Sequence, residues 1–275
     1  MTQLVSSLPE GVQVTYRRMR FDLEEGVPRY WHGGDPGRTH FFTALSLLFP
    51  EGEKFFIDSV RHFEDAELDP RTREEVREFA KQEAHHTYQH QLYNAAVAAQ
   101  GMNLDRYQSF LRSVLRLVRK VFSHKTQLAI TVALEHFTAV LANQLLTNPK
   151  LTEDMDPAVR PLWLWHAAEE IEHKAVCFDV YQQVGGTYWM RALVMARIMI
   201  GFPFVITIFQ LSLLASDLKL ASLKAMWRSA GFIWGREGFV RAVFPELRAY
   251  FRRDFHPWQV DNQGLIVLWA KEQQR

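Results

Sequence analysis

Seven residues of this 275-residue chain have the types and spacings that hold metal ions. In His166-Ala-Ala-Glu-Glu-Ile-Glu-His173, a helix places His166, Glu170 and His173 on one stripe about 60° wide. Glu83-Ala-His-His86 repeats the Glu-x-x-His spacing. Glu53 and Glu135 are isolated acids on two further helical segments. Glu53 shares its face with Phe49, Pro50, Phe56, Ile57 and Val60, and Glu135 shares its face with Thr131, Val132, Thr138, Ala139 and Ala142. A carboxylate buried unpaired on such a face costs several kcal/mol or takes up a proton, and a metal or an arginine removes that cost. One Glu-x-x-His alone is commonly a solvated i,i+3 pair. Two copies with two apolar-face acids are much harder to produce by chance. Four carboxylates and three histidines suffice to bridge and charge-balance two divalent ions.

Neighbouring residues fall into supporting places. His90 lies on the Glu83 face and reads as a pocket wall or a partner of a ligand, as do Thr138 and Cys177, the latter one turn beyond His173. Glu169 is at the edge of the His166 stripe. Glu51, His85 and Glu172 point elsewhere, and His136 reads as structural. Tyr88, Tyr93 and Tyr181 read as packing. No catalytic side chain apart from the metal centre stands out.

The positioning elements follow from periodicity. Helical segments are expected at about Thr39–Phe63, Arg71–Ala99, Asp105–Phe122, Thr126–Thr147, Pro157–Gln183 and Tyr188–Leu218, with shorter pieces to the end. Pro50 either kinks the first segment or starts a new helix. The separations from Glu53 to Glu83, Glu135 and Glu170 are 30, 52 and 35 residues in turn. The outer two suit a helix plus a loop, and the middle one leaves room for a crossover. The expected class is all-α: an irregular extension over 1–36, a four-helix metal-binding bundle with a crossover over 37–185, and a C-terminal helical region over 186–275 packed on the bundle or on a membrane.

Composition bounds the rest. The apolar fraction is 48%, enough for a sizeable core, and the formal net charge of +1 gives no case for nucleic acid. The single cysteine excludes an intrachain disulfide and fits a reducing, cytoplasmic setting. Met1 to Gly11 lacks the apolar core of a secretory signal. Ile198–Ser216 carries no charge and reaches the length of a membrane segment, although Gly201 and Pro203 would interrupt it. It is either membrane-associated, core, or a homodimer interface.

Phe49-Pro-Glu-Gly-Glu-Lys-Phe-Phe56, Gln82-Glu-Ala-His-His86, Leu134-Glu-His-Phe-Thr138, Trp165-His-Ala-Ala-Glu-Glu-Ile-Glu-His-Lys174 and Phe255-His-Pro-Trp258 resemble the bacterial family called "predicted metal-dependent hydrolase". The resemblance runs from about Pro28 to Asp261. The ligand order is also similar to ferritin-like di-iron oxygenases, and the additional histidine of His166-x-x-x-Glu170-x-x-His173 is similar to the arylamine N-oxygenase branch. That similarity implies Glu53, Glu83, His86, Glu135, His166, Glu170 and His173 as ligands.

Three functions fit. The first is an O₂-activating di-iron oxidase or oxygenase, with mixed Mn/Fe occupancy using the same ligands. It would need an electron donor and take a small apolar or lipid-like substrate. The second is a two-metal hydrolase, for which zinc is suited. The third is a non-catalytic metal-binding or storage protein. Helix-borne ligands in apolar surroundings favour the first.

Overall fold

The computed structural model describes residues 12–23, 26–217, 223–235 and 238–273. Met1 to Gly11 and Leu218 lie outside the described residues. The fold is all-α. Among the described residues the extended pairing is limited to an isolated bridge between His32 and Met155.

Two aspartate–proline pairs start the first long helices. Asp35 accepts from the amides of Gly37 and Arg38 ahead of α1 (Pro36–Arg61), and Asp69 accepts from Arg71 and Thr72 ahead of α2 (Pro70–Ala98). Proline at the first helical position loses nothing, because its missing N–H had no partner there. A crossing helix, α3 (Asp105–Val121), then leads to α4 (His124–Thr147), capped by Ser123. The chain continues through α5 (Arg160–His173), α6 (Val176–Gln183), α7 (Tyr188–Ser216), α8 (Leu223–Trp234), α9 (Phe239–Ala249) and α10 (Gln263–Glu272). α1 packs chiefly on α2 and α4 on α5, while α3 crosses outside α1 and α7 lies against both α1 and α4.

Three details depart from simple periodicity. Pro50 neither starts nor ends a helix but sits inside α1. Its missing N–H frees the Ser46 carbonyl one turn back, and Asn94 of α2 fills that vacancy, its amide donating at 3.1 Å. The expected helix over 157–183 is two helices, broken at Lys174–Ala175. At the break the Lys174 ammonium donates to the Val260 carbonyl and to Asn262, each at 2.7 Å, and lies 3.9 Å above the Trp258 ring. Burial pushes this amine down to about 7. Gly201 and Pro203 do not interrupt α7, which runs on to Ser216.

The Phe255-His-Pro-Trp258 motif has a structural task. Phe255 and Trp258 are buried. The Trp258 amide donates to His256 Nδ1, so His256 Nε2 donates to Asp179 of α6 at 2.9 Å. This segment and Lys174 together clamp the α5–α6 break.

Candidate metal centre

α1 contributes Glu53, α2 Glu83 and His86, α4 Glu135, and α5 His166, Glu170 and His173. All seven are buried. Their ligand atoms form three overlapping groups, each within 4.8 Å: Glu53, His86 and His166; Glu83, Glu135 and His173; and Glu83, His86 and Glu170. His173 Nε2 lies 3.2 Å from Glu83 Oε1, 3.5 Å from Glu135 Oε2 and 3.6 Å from Glu170 Oε1. His86 Nδ1 lies 3.5 Å from Glu83 Oε1 and 3.8 Å from Glu170 Oε1. His166 Nε2 is 3.0 Å from Glu170 Oε1 and 4.0 Å from Glu53 Oε1.

These atoms approach one another without satisfying one another. Among the buried side-chain atoms with no hydrogen-bond partner are one oxygen of Glu53, both of Glu83, both of Glu135, one of Glu170, His86 Nδ1 and His173 Nε2. Burying a polar atom unpaired costs about 1–3 kcal/mol, and more when it is charged. Eight such atoms facing one centre cost far more than a fold tolerates without a cation. The spacing fits one, since two atoms bonded to the same ion at about 2.1 Å and near a right angle lie about 3 Å apart.

The opposite ring nitrogen of each histidine is already committed, which fixes the one facing the centre. His86 Nε2–H donates to Glu169 at 3.1 Å, and His173 Nδ1–H donates to the Gln82 carbonyl at 3.0 Å. Gln82 in turn donates to Glu172 at 2.7 Å. Glu172 is gripped by both guanidinium nitrogens of Arg17, at 2.8 and 2.7 Å, and the same guanidinium reaches Glu169 at 3.4 Å. One arginine from the irregular segment over 12–23 thus anchors the partners of two histidines. Arg17→Met is expected to leave Glu169 and Glu172 buried without their cation and to cost about 3 kcal/mol. Chemical denaturation at fixed metal concentration measures this.

His166 is set by a longer chain. The Ser46 hydroxyl donates to the Asn94 carbonyl at 2.9 Å, so it can only accept from His90 Nδ1, also 2.9 Å away. His90 is kept uncharged by burial and by the neighbouring His166 and His86. Its Nε2 therefore accepts from His166 Nδ1–H at 2.7 Å. That leaves His166 Nε2 with a bare lone pair 3.0 Å from the Glu170 carboxylate. Two lone pairs at that distance require a cation between or beside them. His90→Phe is expected to release the His166 ring and lower metal affinity about 10–100-fold, measured by competition with a chelator.

The charge balance of the metal-free cluster agrees. Burial first, and neighbouring carboxylates second, push Glu53 and Glu135 well above the usual range. At Glu170 burial is outweighed by the adjacent imidazoles of His166 and His173, which hold it well below. Burial is likewise outweighed at His86, by the carboxylates of Glu169 and Glu83, and at His173, by that of Glu170, so both are raised. The carboxylates therefore need positive charge, and protons on the histidines are a makeshift for it.

Among the supporting residues, Thr87 donates to Glu53 at 2.9 Å. Cys177 is buried and burial raises its thiol, so it is neither a thiolate nor a nucleophile. His136 stacks on Tyr250 and burial lowers it to about 3. His85 bonds the Met19 carbonyl and Glu51 pairs with Arg112. Tyr93 is buried against Trp31 and Thr43, Tyr181 bonds the Thr187 carbonyl, and Tyr88 is exposed. Sequence reading missed Arg17, Gln82 and Ser46. It also left Glu169 and Glu172 at the edge of the site or outside it. Glu172 does point away from the centre, but the 12–23 segment covers that side.

An apolar cavity of about 190 Å³ opens beside Glu53, walled by α1, α3, α4 and α7. Phe49 and Thr138 separate it from a smaller space of about 30 Å³ against His166 and Glu170. The smaller space holds one water-sized molecule.

The family model described as "predicted metal-dependent hydrolase" matches residues 15–261. The chain belongs to this predicted metal-dependent hydrolase family. The match covers every candidate ligand, Arg17 and the Phe255-His-Pro-Trp258 clamp, so the family's shared segment includes the whole constellation. No curated protein and no solved structure matches the chain.

Proposed function

We propose that this member of the predicted metal-dependent hydrolase family is an enzyme built on a ferritin-like bundle that holds two divalent metal ions. Glu53, Glu83, His86, Glu135, His166, Glu170 and His173 are the proposed ligands. The observation that carries the reading is the convergence of eight buried, partnerless ligand atoms from four helices.

Iron is the metal that best suits this donor set and its walls, and when bound it would supply O₂ activation. Glu83 and His86 each belong to two of the ligand groups and would hold the metal from α2. The chain Asn94–Ser46–His90 orients His166, and Arg17 orients the partners of His86 and His173. Phe49 and Thr138 stand between the centre and the apolar cavity, which would orient a small apolar molecule and exclude bulk water. An electron donor is required from outside.

The family description favours a second reading, metal-dependent hydrolysis. It would use the same ligands around zinc or another divalent ion, with a water in the small space beside His166 and Glu170. Against it stands the apolar lining of the larger cavity, which offers little for a polar leaving group.

One experiment separates the readings: metal analysis of purified protein, an optical spectrum before and after O₂, and an assay with nitrophenyl esters. About two irons per chain with an O₂-dependent band supports the oxidase or oxygenase. A zinc-loaded, O₂-inert protein that cleaves esters overturns it in favour of the hydrolase. Bound metal with neither activity points to storage.

A further inference from the structure

α4 and α7 are both long and apolar enough to cross a membrane, but they are used differently. α4's apolar window is 78% buried and α7's only 33%. α7 is also tied into the fold along its inner side. Arg191 donates to the carbonyls of Tyr250 and Arg252, and Gln210 to that of Gly37. These bonds hold α7 within the bundle as one of its packed helices. Its outer side still presents Leu193, Ile200 and Phe204, the last two 76% and 62% exposed.

α3 runs beside it, joined through Tyr107 and Phe110 against Phe209. Its outer side presents Phe110, Leu117 and Val121, on one stripe at i, i+7 and i+11. The opposite sides of the same two helices, through Leu115 and Phe202, wall the apolar cavity that reaches Glu53. Two apolar stripes thus form the outside of a wall whose inside is the cavity. Gly201, on that wall, has nothing within 4 Å of where a Cβ would stand.

The charges select the occupant. α7 has no acidic residue, and α3 has only Asp105, in its first turn. Arg112 and Arg119 are neutralised by Glu51 and Asp58 of α1. Arg116, Lys120 and Arg197 are exposed, and no ion pair is formed by them among the described residues. Exposed apolar stripes flanked by unpaired cations match an anionic bilayer surface. A second copy of the same face would set like charges opposite one another.

We propose that the outer face of α3 and α7 docks on anionic membranes, and that the cavity behind it takes the apolar end of an acyl-chain lipid from that surface. The substrate part rests on the metal-enzyme reading above. A cavity of about 190 Å³ is smaller than the roughly 300–1,000 Å³ that engulfs a drug-sized ligand. It would hold one end of a chain whose remainder stays in the bilayer.

The test is co-sedimentation of the full chain with vesicles of phosphatidylcholine, with and without phosphatidylglycerol. Metal content and circular dichroism are measured on the same samples. Partition into the anionic vesicles is expected, surviving a high-salt wash. Ile200→Glu with Phe204→Glu should weaken it at least about tenfold, and Arg116→Glu with Lys120→Glu should erase the preference for anionic lipid. These side chains are exposed, so the variants should fold and keep their metal. Gly201→Phe should keep vesicle binding but lose binding of the fluorescent fatty acid cis-parinaric acid. A metal-loaded protein that ignores anionic vesicles overturns the docking and leaves the metal reading intact. A metal-free protein that still docks does the reverse. Self-association abolished by the Ile200 and Phe204 substitutions, without vesicle binding, overturns the proposal in favour of a dimer interface. Equal cis-parinaric acid binding by Gly201→Phe removes the cavity from it.

Discussion

Glu83→Ala is expected to lose metal from the centre. Bound metal should fall from about two ions per chain to about one or fewer, since a partner that merely orients a ligand already costs about 10–100-fold in affinity. Glu83 costs more because its carboxylate is shared. Oε1 lies 3.2 Å from His173 Nε2 and 3.5 Å from His86 Nδ1, in two of the three ligand groups. Losing it opens both of those groups and leaves Glu53, His86 and His166 as the one complete group. Glu135→Ala removes one end of a single group and should weaken one position more than the other. Glu51→Ala is the control, because that acid faces Arg112 on the other side of α1 and should leave metal content unchanged. Metal analysis after dialysis, with circular dichroism to verify folding, reads all three. Full occupancy in Glu83→Ala would refute the ligand set.

Chelation should destabilise the protein strongly, and in a pH-dependent way. An ion present at about 1,000 times its Kd stabilises the folded state by about 4 kcal/mol. At this chain length each 1 kcal/mol is worth about 2–4 °C in Tm. A drop of about 10 °C or more is therefore expected on metal removal. The metal-free protein should also lose stability as pH rises above about 6.5. Glu53, Glu135, His86 and His173 all hold protons more tightly folded than unfolded. Each such group contributes stability that is complete below its unfolded pKa, about 4.3 for Glu and about 6.5 for His, and is lost as pH rises through the raised folded value. Glu170, held low, contributes in the opposite sense, but its contribution is lost only in acid, below this window. His166, lowered by burial, opposes the trend only below about 6.5. The metal-loaded protein should show the reverse slope, because protons compete with metal for the same atoms. Thermal melts with and without chelator across this range measure both. Parallel slopes would mean that the carboxylates and histidines do not change partners on metal removal.

The all-α class and the positions of the long helices were legible because apolar residues recur at helical spacing and the helix starts carry their own caps. Asp35-Pro36, Asp69-Pro70 and Ser123 announce α1, α2 and α4 from within a few residues. The seven candidate ligands were legible for a related reason. Spacing alone puts His166, Glu170 and His173 on one stripe and sets Glu53 and Glu135 on otherwise apolar faces, where an acid has to be explained.

What orients those ligands lay beyond local pattern. Arg17 grips Glu172 across 155 residues, and Gln82 bridges to it across 90. Helical periodicity says which way Glu172 points. It does not say that the irregular 12–23 segment covers that side and makes it buried. The tautomer of His166 depends on a carbonyl freed by Pro50 one helix away, filled by Asn94 and passed on through Ser46 and His90. Ile198–Ser216 poses the same difficulty. Its composition is that of a membrane segment, but only the packing of Arg191 and Gln210 shows which of its sides is held by the bundle and which is left outside. The sequence by itself determined which residues share a face, because that follows from the 3.6-residue turn of each helix. The tertiary structure decided what each face meets, because the partners come from distant parts of the chain and are fixed only by how the helices pack.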